Sequence, residues 1–362
     1  MNILLFKSLL HNYLYNNNYN MTSSKVWVEK YRPYNINKII QPEIKQLILS
    51  KNSLSDLPHL LFYGQPGIGK TTTALAICKY IYTSNPANSH LYKQIIKERV
   101  LELNASDERG IKVVREKIKT FAAQALNTYK EVPLFKIIIL DEADVMTNDS
   151  QFALRRIIEQ YSHITRFILI CNYVTKIIPP LASRCSRYRF DPINLQKMKI
   201  IIDNILINEK ISIEENILSD ISQKIYIISK GDLRKTITIL QRAVYISNLN
   251  NNNLSIDTIN EISGVIPQEY ITDLYLILTT NINTYKLITD YLKIILNNGY
   301  SATNIINELS THILSDINIS DNNKSQIFIK MSNICNLLSN GSGDYIQLLV
   351  LCSYINHTLT IQ

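Results

Sequence analysis

Gly64-Gln65-Pro66-Gly67-Ile68-Gly69-Lys70-Thr71 is the stretch that decides how this chain folds. It fits G-x-x-x-x-G-K-[ST], a loop whose glycines let backbone N–H groups wrap phosphates. A short apolar run, His59–Tyr63, precedes it, and a helical pattern follows from about Thr71 to Tyr82. Strand, loop and helix in that order are the setting the motif requires. Lys70 can then reach β- and γ-phosphates, and Thr71 can ligate Mg2+ at the positive end of the helix. A glycine-rich turn before a structural helix would account for the glycines but not for the Lys-Thr pair that follows them.

Working outward, short apolar runs alternate with amphipathic segments from Val26 to Phe190, which predicts βαβ units and a parallel sheet. The expected strands are His59–Tyr63, Val100–Asn104, Phe135–Leu140, Arg166–Cys171 and Arg187–Phe190. Each is nearly continuously apolar at its centre, as strands covered on both faces should be. After Asp191-Pro192 the strand signals fade. Asn194–Asn208, Ile217–Ser229 and Asp232–Ser247 carry apolar residues at helical spacing, and so, beyond a polar break at Asn248–Asn253, do Asp273–Leu278, Thr284–Asn297 and Tyr345–His357. The expected organisation is a low-complexity tail over 1–24, an α/β P-loop domain over 25–191, a helical lid over 192–255 and an all-helical domain over 256–362.

With 362 residues the chain is long enough for two or three buried cores, and 46% hydrophobic with 19% charged residues excludes disorder throughout. The net charge of +8 permits a polyanionic partner but fits a solvated basic surface equally well. Five scattered cysteines with no C-x-x-C pair point to free thiols in a reducing compartment. No run of about eighteen apolar residues occurs, so no membrane span is expected, and no membrane is among the expected partners. The Asn16–Asn18 tract before Met21 reads as a tail, and Met21 could itself be the initiator.

A second chemical signal is Ile137-Ile138-Ile139-Leu140-Asp141-Glu142-Ala143-Asp144, an apolar strand that ends in carboxylates at the sheet edge where α/β ligands bind. Alone, such acids are more often a solvated loop. About seventy residues after a P-loop, Asp141 is placed to hold Mg2+ and Glu142 to polarise an attacking water. The two stretches together resemble the Walker A and Walker B motifs of AAA+ ATPases. Trp27-Val28-Glu29-Lys30-Tyr31-Arg32-Pro33, Leu103 to Gly110 (Leu-Asn-Ala-Ser-Asp-Glu-Arg-Gly), Cys171-Asn172-Tyr173, Ser183-Arg184-Cys185 and Gly231-Asp232-Leu233-Arg234 narrow the resemblance to small subunits of the replication factor C clamp loader. It covers about Val26 to Gln241; the C-terminal third matches in length and helical character alone.

The resemblance implies an AAA+ fold class: a parallel-sheet ATPase domain, a helical lid and an all-helical collar that holds subunits together. It implies ATP and Mg2+ as the bound groups. The nucleotide would be held by Val28, Tyr31, Arg32 and Ile40 around the base and by Gly64, Gln65, Pro66, Gly67, Ile68, Gly69, Lys70, Thr71 and Thr72 around the phosphates. Thr71 and Asp141 would hold the metal. Asn172 resembles sensor 1 and Arg234 sensor 2. Arg184 resembles an arginine finger acting on ATP of the neighbouring subunit, so the catalytic set Lys70, Asp141, Glu142, Asn172, Arg184 and Arg234 is split between chains. Without the resemblance, Trp27 and Tyr31 read as core aromatics, Asn172 as a turn residue, and Arg234 as a surface arginine.

Such a shared site demands a head-to-tail ring or spiral, in the family a hetero-pentamer. The implied partners are the other loader subunits, a sliding clamp of the PCNA type and primer–template DNA; the implied location is the nucleus, or a viral replication compartment for a viral gene. Arg109, Lys112 and Arg115, and Arg155 on a second helix, compose what look like solvated helix faces. The resemblance assigns them to DNA phosphates. Pro179-Pro180 stands where the family pattern has one proline, which stiffens the approach to Arg184, and Phe121–Tyr129 is the stretch where a clamp contact is expected. Two other readings share the P-loop: a structural ATP-binding spacer, which an intact Glu142 and Asn172 disfavour, and a branch-migration-type helicase, which the Trp27–Pro33 and Ser183–Cys185 segments disfavour.

Overall fold

The central strands carry apolar residues on both faces, and the computed structural model shows where each set goes. It describes residues 26–36, 42–49, 57–83, 92–106, 111–125, 127–129, 132–211, 213–249, 254–280 and 285–360, without the side chains at 49, 92, 111–115, 257, 280 and 360. Five strands, β1 (Leu60–Gly64), β2 (Val100–Asn104), β3 (Lys136–Asp141), β4 (Thr165–Cys171) and β5 (Ser186–Phe190), form one sheet in the order β2-β3-β4-β1-β5. All pairings are parallel: Leu60 lies opposite Ile168 and Ser186, and Asn104 opposite Asp141. Before β1 come α1 (Trp27–Lys30) and α2 (Pro42–Leu49), and between the strands α3 (Lys70–Thr83), α4 (Tyr92–Arg99), α5 (Ile111–Ala123), α6 (Asn148–Tyr161) and α7 (Pro179–Ala182).

Side chains alternate across a strand, so each central strand feeds two cores. Leu60, Phe62, Ile137, Ile139, Ile168 and Ile170 face one side with Ile44, Ile77, Ile81 and Ile95 from α2, α3 and α4. Leu61, Ile138, Leu140, Phe167, Leu169 and Cys171 face the other, with Ile118, Leu154, Ile158 and Leu181 from α5, α6 and α7. The expectation of strands covered on both faces holds for β1, β3 and β4. It fails at β2 and β5, where Glu102, Arg187 and Arg189 are exposed. These are the edge strands of the sheet, and charge along an edge resists pairing with another chain.

Downstream run α8 (Leu195–Asn208), α9 (Glu215–Ser229), α10 (Leu233–Leu249), α11 (Ile256–Ser263), α12 (Gln268–Thr280), α13 (Tyr285–Asn297), α14 (Ala302–Ser315), α15 (Asp321–Ser339) and α16 (Asp344–Thr360). The chain divides into two compact units, one of Met1–Ser212 with Ser229–Gln241 and one of Ile213–Ile228 with Arg242–Gln362. In the second unit Leu274, Leu292, Ile305, Leu309, Ile327, Leu348 and Ile355 meet in one apolar core. Three of its helices begin at a serine whose hydroxyl accepts from a backbone N–H three residues on: Ser255 from Thr258, Ser301 from Asn304 and Ser320 from Asn323. These caps satisfy donors that a helix start leaves free. All five cysteines carry free thiols.

Candidate active site

Three parallel strands lying side by side, β3, β4 and β1, end in Asp141, Cys171 and Gly64. The P-loop leaves the end of β1, and α3 begins at Lys70. The Lys70 side chain is buried, 7% exposed, and its Nζ donates to the carbonyls of Gly64 and Gln65, both at 2.7 Å, and to Asn172 Oδ1 at 2.9 Å. Burial lowers its pKa from the ordinary lysine value, with Asp141 pulling the other way. Thr71 Oγ1 donates to Asp141 Oδ2 at 2.6 Å, and Asp141 Oδ1 accepts from the Glu142 N–H at 2.9 Å. The structure thus places two hydrogen-bonded pairs, Lys70 with Asn172 and Thr71 with Asp141, on adjacent residues at the start of α3.

Glu142 follows with φ 54°, in the left-handed region that costs a non-glycine residue on the order of 1–2 kcal/mol. Such strain persists where the surroundings over-determine it. Here the Glu142 N–H is held by Asp141 and its carbonyl accepts from Val145 at 3.0 Å. Asp144, for which sequence reasoning named no role, supports the neighbouring strand end. Its Oδ2 accepts from the Asn172 and Tyr173 N–H groups, both at 3.2 Å. The signal was available: Asp144 is the third residue past Asp141, inside the carboxylate run.

Gly67 and Gly69 have φ of +72° and +92°, conformations that L side chains rarely adopt. A Cβ on Gly69 would meet nothing within 4 Å, so the loop is open there, whereas one on Gly67 would lie 1.8 Å from Asp232 Oδ1. Asp232 is the N-cap of α10, accepting from the Lys235 N–H at 3.0 Å, and the Leu233 N–H donates to the Gly67 carbonyl at 3.0 Å. The Gly231–Arg234 segment is therefore seated on the P-loop. Arg234, exposed in the first turn of α10, is near enough to Lys70 for its charge to lower the lysine pKa. Gly67→Ala is expected to destabilise this unit by about 2–4 kcal/mol, from backbone strain plus a displaced cap. In thermal melts Asp232→Ala in the same chain should restore part of that loss; strictly additive losses would show that no steric conflict links the two positions.

The Trp27–Pro33 segment is fastened at both ends. The Trp27 N–H donates to Gln241 Oε1 at 3.1 Å, while Tyr31 Oη at 2.5 Å and Lys30 Nζ at 2.7 Å share Glu209 Oε1. Arg32 Nε donates to Thr72 Oγ1 at 3.3 Å, so it reaches the first turn of α3. Glu209 and Gln241 were missed by sequence reasoning, which has no local signal for partners so distant. Val28 is half-buried on α1. Ile40 and Arg109 lie outside the described residues, as do the side chains of Lys112 and Arg115 on α5.

Arg184 is engaged away from this group. Its guanidinium forms an ion pair with Glu159 near the C-terminus of α6, and its Nη1 donates to the Pro180 carbonyl at 2.6 Å. Arg155, also on α6, contacts the same Glu159 oxygen through Nε at 3.0 Å. In the Phe121–Tyr129 stretch, the Phe121 and Gln124 carbonyls accept from buried Lys136, and Tyr129 Oη donates to Glu98 at 2.7 Å.

These residues fit a nucleoside triphosphate with Mg2+. A hydroxyl and a carboxylate oxygen in contact at the start of a helix are the hard oxygen donors Mg2+ takes beside phosphates. A buried cation whose hydrogen bonds go to three neutral acceptors favours a phosphate anion beside it.

The family model of the ATPase family associated with various cellular activities (AAA) matches residues 60–192, and that of the replication factor C C-terminal domain matches residues 266–354. Replication factor C subunit 2 of Oryza sativa subsp. japonica is 40% identical over 336 residues, spanning 91% of this chain and 94% of that protein. Replication factor C subunit 4 of Arabidopsis thaliana is 41% identical over 340 residues, 92% and 95% of the two chains. The replication factor C small subunit of Archaeoglobus fulgidus is 37% identical over 338 residues, 93% and 98%.

Proposed function

This chain belongs to the replication factor C small-subunit family of AAA ATPases, and on that premise we propose that it is an ATP-hydrolysing subunit of a DNA clamp loader whose catalytic sites are shared between neighbours. The observation that carries the reading is the division of its catalytic set. Lys70 bonds Asn172 and Thr71 bonds Asp141 at the start of α3, while Arg184 is held by Glu159 and Pro180. A P-loop chain with its finger directed elsewhere is half of two sites.

Lys70 exchanges its neutral acceptors for phosphate oxygens of ATP, and the P-loop N–H groups with the start of α3 take the remaining phosphate charge. Thr71 and Asp141 would hold Mg2+, whose charge offsets the negative charge that develops on the transferred phosphoryl oxygens. Glu142 orients and deprotonates the attacking water, and Asn172, fixed through Asp144, positions it. Val28, Tyr31, Arg32 and Ile40 surround the base, Arg234 reports nucleotide to the helical lid, and Arg184 serves the site of the next subunit.

ATP binding drives opening of a PCNA-type clamp and the binding of primer–template DNA through Arg109, Lys112, Arg115 and Arg155; hydrolysis releases the closed clamp on the DNA during replication and repair. The three-part organisation, 25–191, 192–255 and 256–362, with the last as a collar in a hetero-pentamer, and a nuclear location complete the reading. No helix of the described residues is long and apolar enough to cross a membrane.

The test is ATP turnover of the purified chain alone, with its partner subunits, and with primed DNA plus clamp added. Turnover should be slow alone, rise on assembly and rise again with DNA and clamp. Full turnover by the isolated chain, indifferent to all additions, would overturn the shared-site reading.

A further inference from the structure

Glu159 has so far been given no catalytic or binding role, yet one of its oxygens receives two guanidinium groups. Arg155 Nε approaches Oε1 at 3.0 Å from one turn earlier on α6, and Arg184 Nη2 pairs with the same atom. The arginine hydrogen bonds, that of Arg155 foremost, lower the pKa of the Glu159 carboxyl, so it is charged at neutral pH.

All three side chains are partly solvent-exposed, at 33–41%, and exposed ion pairs contribute about 0–1 kcal/mol to stability. Stability therefore does not explain the arrangement, whereas geometry does. A guanidinium is planar with five N–H donors, so contacts at two of its nitrogens fix the plane of the whole group. Glu159 takes Nη2 and the Pro180 carbonyl takes Nη1, which leaves the remaining N–H groups for another acceptor. Arg155 in turn holds Glu159, four residues on in the same helix.

We propose that Glu159 is the positioning residue of Arg184: it orients the finger for a phosphate group of the neighbouring subunit, with Arg155 as its brace. The inference rests on the reading of Arg184 as a finger. It also gives Arg155 a duty that does not require DNA.

The experiment uses complete assemblies in which the subunit facing Arg184 is the one competent for hydrolysis, and measures steady-state ATP turnover without DNA. Glu159→Gln is expected to lower kcat roughly 10-fold, about 1.4 kcal/mol, with KM for ATP and the melting temperature unmoved. Arg155→Gln should give a smaller loss in the same direction, although no DNA is present. Glu159→Gln combined with Arg184→Ala should be no slower than Arg184→Ala alone, because both remove one device.

If Arg184→Ala itself leaves turnover intact, the finger reading falls and this inference with it. If Arg184→Ala is severe but Glu159→Gln is silent, or its loss multiplies with that of Arg184→Ala, the positioning role alone is wrong. A faster Glu159→Gln assembly would equally overturn it, showing that the carboxylate restrains the finger instead of presenting it.

Discussion

Lys70→Ala is expected to weaken nucleotide binding by about 10²- to 10⁴-fold while leaving the fold intact. The magnitude follows from two charge-assisted hydrogen bonds to phosphate at roughly 1.5–3 kcal/mol each. That the fold survives follows from what surrounds the side chain. Lys70 is buried and its Nζ bonds only neutral groups, the Gly64 and Gln65 carbonyls and the Asn172 amide oxygen. Burial opposes its charge. Removing it frees three acceptors but also removes a charge held out of water, two costs of opposite sign. Titration with a fluorescent ATP analogue measures the first effect and thermal melting the second. In the wild-type chain, ATP at about 100 times its Kd should stabilise by roughly 2.7 kcal/mol, and Lys70→Ala should lose that increment. A Kd within about threefold of wild type would show that the triphosphate does not sit on Lys70.

The contrast between Lys70 and the residues around it shows what can be read from a chain and what cannot. The P-loop was legible because its chemistry is contiguous: eight residues between a strand and a helix carry the glycines, the cation and the hydroxyl. The strands β1, β3 and β4 were legible because burial on two faces requires apolar residues at every position. At β2 and β5 the same rule misled, since only the fold says which strands are edges.

Asn172, 102 residues from Lys70, was found through the order of motifs, not through any local rule. Glu209, 178 residues from Tyr31, had no such help. A glutamate closing an amphipathic helix is an ordinary surface residue until the chain folds and brings a tyrosine and a lysine onto one oxygen. Asp232 and Glu159 lie between these cases. Asp-x-x-Lys before an apolar helix announces an N-cap, and Arg155 four residues before Glu159 announces a helical ion pair. Neither spacing says that the cap also rests on Gly67, or that the ion pair also takes Arg184. Local periodicity predicts a residue's first contact; the second comes from topology, and in this chain the second contact is what ties the candidate site together.

Arg184→Ala carries the largest expected effect, a fall in assembly turnover of about 10³-fold or more at one site, the scale on which arginine fingers act in phosphoryl transfer. The loss should appear on the neighbour and not on the chain that carries the substitution. Arg184 bonds Glu159 and Pro180, so its removal leaves the Lys70–Thr71–Asp141–Asn172 group in place. ATP should therefore still bind this chain with unchanged affinity, and melting should shift by no more than the loss of an exposed ion pair allows.

Glu142→Gln supplies the complementary case: with the carboxylate proposed to take the water's proton removed, this chain's own site should fall silent and the neighbour's site should be untouched. Assemblies carrying each substitution, with a single competent subunit chosen in turn, separate the two. Arg184→Ala must abolish turnover when the facing subunit is the competent one and leave it when this chain is. Glu142→Gln must do the reverse. If both substitutions silence the same subunit, the finger serves its own P-loop, and the ion pair to Glu159 is a resting position from which Arg184 would have to swing back to its own nucleotide.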